Sequence, residues 1–195
     1  TQLFESEGPT AAGRARYLLT EQIRILKSAG VDFLIFETFF RLDEMLIALD
    51  CGRESKLPMI ATMSFRPLIS RSGDDRTPAE CAVAMAQAGA IAVGANCEQE
   101  PKRMLSLLRE MRRAANVPLA AQPAAFRTTD DCHSFTRQPA FPDDLETIQV
   151  SRREFEELGR VARAEGIGYA GGCCGCNAAY IRSLAWGLSE GLPAG

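Results

Sequence analysis

Short apolar runs alternate along the chain with stretches whose apolar residues recur at helical spacing. The runs fall at 31–36, 59–63, 91–93, 117–121 and 167–170 and have the length and β-branched content of buried strands. Between them, Tyr17, Ile23 and Leu26 with Gly30 predict a first helix, and Leu42, Met45 and Leu49 with Gly52 a second. Thr77-Pro78-Ala79-Glu80 combines an N-cap, a proline at the first helical position and a capping-box glutamate, and Gly89 closes that helix. Met104, Leu107, Leu108 and Met111 predict a helix after Pro101. Ser151-Arg152-Arg153-Glu154 is a second capping box, leading into Phe155, Leu158 and Val161 or Ala162 and ending at Gly166. Asn177 is placed to cap a last helix carrying Ile181, Leu184 and Leu188. Strand and helix in strict alternation predict an α/β fold with a parallel sheet and right-handed crossovers. The connection 122–150 breaks the rhythm: it is long, holds Pro123, Pro139 and Pro142, and carries Phe126, Phe135 and Phe141. A loop of that length is usually functional or mobile.

Composition narrows the function classes. Of 195 residues, 46% are hydrophobic, and 22 basic side chains face 25 acidic ones, for a net charge of −3. That balance is ordinary for a globular domain and lacks the basic excess of a nucleic-acid binder. No run of about 18 apolar residues could span a membrane, and no basic n-region precedes an apolar segment. The expectation is a single cytoplasmic domain over 1–195. Seven cysteines beside one histidine is the unusual number. With an odd count and no secretory signal, a disulfide scaffold explains them poorly, so a metal site would have to be rich in thiolate.

In parallel α/β folds, ligands bind beyond the carboxyl ends of the strands. The five predicted strand ends deliver Glu37-Thr38-Phe39, Ser64-Phe65-Arg66, Asn96-Cys97, Gln122-Pro123 and Gly171-Gly172-Cys173-Cys174-Gly175-Cys176. Each cysteine taken alone reads as a small buried hydrophobe. Delivery of Cys97, Cys173 and Cys174 to one face points instead to three thiolates around an ion with one open position. A strained vicinal disulfide or redox pair is the other reading of Cys173-Cys174. Glu37 is either a rim carboxylate or a charge partner for a helix N-terminus. Cys51, Cys81, Cys132 and Cys176 read as structural, and His133, beside Asp131 and Cys132, as a solvated loop residue.

Gly94-Ala95-Asn96-Cys97 together with Gly171-Gly172-Cys173-Cys174-Gly175 resembles the zinc-dependent homocysteine S-methyltransferase family, and within it the betaine–homocysteine branch. Val31-Asp32-Phe33-Leu34-Ile35-Phe36-Glu37, Ile60-Ala61-Thr62-Met63, Gln122-Pro123-Ala124-Ala125-Phe126 and Tyr180-Ile181-Arg182 carry the resemblance across nearly the whole chain. It implies a (β/α)8 barrel of which the five predicted units would be the last five, the N-terminal three strands being absent. It also implies Cys97, Cys173 and Cys174 as ligands of Zn2+ and Glu37 as the group holding the homocysteine ammonium. The branch often has tyrosine where this chain has Thr38. The implied reaction moves a methyl group from a small cationic donor, betaine favoured, to homocysteine, in a protein that could be a homo-oligomer at full length. Phe39, Phe40 and Phe126 are the aromatic candidates for facing such a cation, with a core role the competing reading for each. The alternatives are an S-methylmethionine- or cobalamin/folate-linked donor, or a non-catalytic thiolate metal-binding or redox fragment.

Overall fold

The computed structural model describes residues 4, 7–66, 69–129, 131–132 and 134–189. Five parallel strands lie in sequence order: β1 (Leu34–Phe39), β2 (Met59–Met63), β3 (Ala92–Asn96), β4 (Leu119–Gln122) and β5 (Ile167–Ala170). Among the described residues six α-helices accompany them: α1 (Ala12–Ser28), α2 (Leu42–Arg53), α3 (Pro78–Gln87), α4 (Pro101–Ala114), α5 (Arg152–Ala164) and α6 (Ala178–Ser189). The alternation read from the sequence is therefore the observed one, and the fold is α/β.

Pleating sorts the strand residues onto two faces. Leu34, Phe36, Met59, Ala61, Met63, Val93, Ala95, Leu119 and Ala121 join the helices in the main core. Ile60, Ala92 and Ala120, flanked by Ile35 and Tyr169, make a separate apolar strip on the other face. Helices on one face and a small-residue strip on the other are the wall of a barrel carried through five units. No helix among the described residues is long and apolar enough to cross a membrane.

Both capping boxes form: the Thr77 and Ser151 side chains accept from the third helical N–H, and Glu80 and Glu154 reach back. Asn177 Oδ1 accepts the Ala179 N–H at 2.9 Å, as a cap of α6 should. Several local expectations are corrected. β1 begins three residues later than the apolar run, and β3 extends past Val93 through Gly94 to Asn96. Gly52 does not end α2 but lies inside it, against Met59 and Phe36, where a Cβ would sit 2.6 Å from Met59 Sδ. In α1 the buried face is Ala15, Leu19 and Ile23, whereas Tyr17 is 68% exposed and Leu26 is exposed as well. Ile181 of α6 is also exposed. The 122–150 connection contains short 3-10 turns at Phe135–Arg137 and Leu145–Ile148.

Candidate metal centre

All five strands point their carboxyl ends to one edge, and there the sheet's own hydrogen bonding continues into the loops. Cys97 N–H donates to Gln122 O at 2.9 Å, Cys173 N–H to Pro123 O at 2.8 Å, and Ala125 N–H to Cys174 O at 2.8 Å. The backbone carrying the thiols is thus fixed by ladder-like bonds. Cys97 and Glu98 both adopt left-handed conformations, φ 59° and 55°, uncommon for residues with a side chain. The fixed turn brings Cys97 Sγ to 3.4 Å from Cys174 Sγ, and the sulfurs of Cys97, Cys173 and Cys174 all lie within 4.8 Å of one another. Cys97 is buried, Cys173 half-buried and Cys174 exposed, so the triad opens on one side.

Three thiols this close cannot ionise independently. S–H donation from Cys173 and then Cys97 pulls Cys174 down to about 3. Cys97 is pushed far up by sharing hydrogen bonds with Cys173 and Cys174, and then by burial. Cys173 also moves up, chiefly through Cys174. A divalent ion relieves this conflict, because it lets all three sulfurs be thiolates together. Tetrahedral bonds of about 2.3 Å place sulfurs about 3.8 Å apart, between the 3.4 Å contact and the 4.8 Å limit seen here. The residues fit zinc, with three soft ligands and an open fourth side.

The remaining cysteines stand apart from the triad. Cys176 is pushed up to about 11 by burial and turns toward Pro123 O at 3.7 Å. Cys51 and Cys81 are buried, and burial raises Cys81 to about 12. Cys132 lies in the long connection with its sulfur 3.6 Å from Ser134 O. His133 lies outside the described residues.

Two strand-end amides lie beside the triad, one reaching Glu37 and the other Thr38 and Cys173. Gln122, 6% exposed, donates from Nε2 to Glu37 Oε2 at 3.0 Å, and its Oε1 is buried without a partner among the described residues. Asn96 Oδ1 accepts the Thr38 N–H at 2.8 Å, while its Nδ2 faces Thr38 Oγ1 at 2.6 Å and Cys173 Sγ at 3.9 Å. Ser64 Oγ donates to Asn96 O at 2.7 Å. Sequence reading placed Asn96 and Gln122 at strand ends but gave neither a role. The signal was available: each is a polar residue closing an otherwise apolar strand, the criterion that selected Glu37.

The long connection is fastened beside this edge. Phe126 and Phe135 pack at 4.9 Å in one cluster with Cys97 and Cys173. A Cβ on Gly175 would come within 2.6 Å of the Phe126 ring. Arg127 pairs with Glu154, and Thr128 Oγ1 donates to Glu100 at 3.0 Å. Phe126 is therefore a packing residue of the connection and Phe39 a member of the main core; only Phe40 of the three aromatic candidates is half-buried. Beside the sulfurs, burial raises the Glu98 carboxyl.

Comparison with known proteins agrees with this geometry. Residues 6–188 match the family model described as homocysteine S-methyltransferase. The chain is 35% identical over 181 residues to the S-methylmethionine–homocysteine S-methyltransferase BHMT2 of Pongo abelii, covering 88% of this chain and 48% of that protein. It is 36% identical over 174 residues to betaine–homocysteine S-methyltransferase 1 of Bos taurus, covering 85% and 42%. Among solved structures, the apo form of the homocysteine methyltransferase MmuM from Escherichia coli superposes with a TM-score of 0.63 at 16% identity, over 90% of this chain and 57% of that one. MmuM has also been solved in a metallated form, with a TM-score of 0.59. The chain spans about half the length of the curated relatives it matches. On the match over 6–188 and these identities, the chain belongs to the homocysteine S-methyltransferase family.

Proposed function

We propose that residues 1–195 are the metal-holding part of a catalytic barrel that methylates homocysteine to methionine, with betaine as the favoured donor. The observation that carries this reading is the thiol triad gathered from the ends of β3 and β5, open on one side, with Asn96 between Cys173 and Thr38 and with Gln122 on Glu37. Cys97, Cys173 and Cys174 would hold Zn2+. When bound, zinc lets a substrate thiol serve as its thiolate at neutral pH.

Glu37 offers its carboxylate to the homocysteine ammonium, and the unpartnered Gln122 Oε1 is a second acceptor beside it. Gln122 Nε2 holds the Glu37 carboxylate in place, so substrate orientation rests on a buried amide rather than a free side chain. As sulfur takes the methyl group, the nitrogen–methyl bond breaks and its electron pair stays on nitrogen. The donor then leaves as a neutral amine that needs no proton, so the site's residues supply charge and orientation rather than acid catalysis. S-methylmethionine, a sulfonium donor whose sulfur–methyl bond would break to release a neutral thioether, is the second reading, favoured by the identity to the BHMT2 enzyme. The same proposal places the protein in the cytoplasm, as a homo-oligomer at full length completed by three further strand–helix units.

Metal analysis of the chain purified under reducing conditions tests the reading. About one zinc per chain is expected, lost in Cys173→Ser; no zinc in the unsubstituted chain overturns it. A panel of donors with homocysteine then decides between betaine and S-methylmethionine.

A further inference from the structure

Asn96 is 1% exposed, and a buried amide must place both its acceptor and its donors. It does so completely. Thr38 N–H requires an acceptor, which fixes Oδ1 toward it and leaves the two Nδ2 hydrogens for Thr38 Oγ1 and Cys173 Sγ. Thr38 needs such support. It is a β-branched residue at φ 60°, a conformation that costs energy unless its surroundings over-determine it. Asn96 grips both its N–H and its hydroxyl. Thr38 directly follows Glu37, so the turn that Asn96 holds also sets where the Glu37 carboxylate lies. The Asn96 carbonyl is in turn held by Ser64, so the amide is anchored at its backbone as well.

We propose that Asn96 is a positioning residue that couples the thiol of Cys173 to the Glu37–Thr38 turn, so that metal binding and homocysteine binding reinforce each other. The inference rests on the metal reading above. An N–H aimed at a ligand sulfur orients the side chain it touches, and partners of this kind tune how well the ligand set is held. A metal-held sulfur keeps the amide in place, and the amide keeps the turn. The coupling is reciprocal by thermodynamic necessity.

Co2+ alone is the probe, because thiolate-to-cobalt absorption reports the ligands directly and chelator competition gives affinity. In Asn96→Asp one carboxylate oxygen still accepts from Thr38 N–H, but no donor reaches Cys173. Its Co2+ affinity should fall about 10- to 100-fold, with a shifted absorption. In Thr38→Val, which touches no sulfur and removes only the hydroxyl anchoring the amide, the cobalt absorption should also shift, and homocysteine should perturb it less. Circular dichroism confirms the fold of each variant, and Thr38→Val decides the matter if Asn96→Asp does not fold. Unchanged affinity and absorption in a folded Asn96→Asp, or an unchanged cobalt spectrum and homocysteine response in Thr38→Val, would overturn the coupling. An unsubstituted chain without thiolate–cobalt absorption overturns the metal reading itself, a distinct result.

Discussion

Gly94 and Asn96 lie two residues apart on β3 and constrain the site in opposite ways. At Gly94 the neighbouring strand comes so near that a Cβ would lie 1.8 Å from Ala120 O. Gly94→Ala must therefore push β3 and β4 apart, and overpacking of this kind costs about 1–3 kcal/mol or more. Urea denaturation should show at least that loss, and the turn holding Cys97, which directly follows β3, should shift with it. Asn96 acts through donors and acceptors rather than through space, and so does Glu37. Glu37→Gln keeps the shape of the side chain but removes its charge. On the proposed reading, the loss of a charge-assisted hydrogen bond to the substrate ammonium would cost about 1.5–3 kcal/mol, so KM for homocysteine should rise about 10- to 100-fold with metal content unchanged. An unaltered KM would remove Glu37 from the ammonium site. At this scale the sequence was legible where chemistry is rare: three cysteines at strand ends stood out among seven. Asn96 and Gln122 did not stand out, because amides are common and their worth lies in partners 58 and 85 residues away.

Among elements, helix α2 shows where local reading ends. Its N-cap residue, Arg41, caps nothing; the helix is capped from a distance by Asp74, whose carboxylate accepts from Leu42 N–H at 2.9 Å and Asp43 N–H at 3.3 Å, and from Ser72 Oγ at 2.7 Å. Burial opposes the Asp74 charge, but these hydrogen bonds outweigh it and hold the carboxyl below its ordinary value. Its stabilisation is fully present above the unfolded pKa of about 3.9 and is lost as pH falls through the lower folded value. Asp74→Ala should cost about 1–2 kcal/mol at pH 7, and the gap between variant and parent should close in acid denaturation titrations. A gap that persists at pH 2 would assign the loss to packing instead. Helices α5 and α6 meet through Gly159 and Gly187, where Cβ atoms would fall 2.3 Å from Leu184 O and 1.9 Å from Glu156 O. Neither glycine announces this contact in a single sequence. Strand limits were hidden for a related reason. The apolar run 31–36 locates β1 only roughly, because pairing of Leu34 with Met59 sets the register, not the run itself. The capping boxes at Thr77 and Ser151 were readable because all their partners lie within three residues.

At the scale of the whole molecule, β1 and β5 each pair on one side only among the described residues. Beside β1 lies a cavity of about 390 Å³ lined by Leu19, Ile23, Leu26, Val31 and Phe33, the last 45% exposed. An apolar, unpaired strand edge is a template for association. The chain alone should sediment above its 21.2 kDa mass at micromolar concentration. Phe33→Lys should return it toward the monomer with an unchanged circular dichroism spectrum. Sedimentation as a monomer before substitution would show that this edge is covered. The sheet order has one more consequence, and it concerns time. Neighbouring strands follow one another along the chain, so each can pair as it leaves the ribosome. The sulfurs are not so arranged: 77 residues separate Cys97 from Cys174. At about 5–20 residues per second, the first thiol waits roughly 4–15 seconds for the others. During that interval it lacks both sulfurs that complete the triad and the Phe126 and Phe135 rings that pack beside it. The complete triad is thus made only once β5 has joined the sheet.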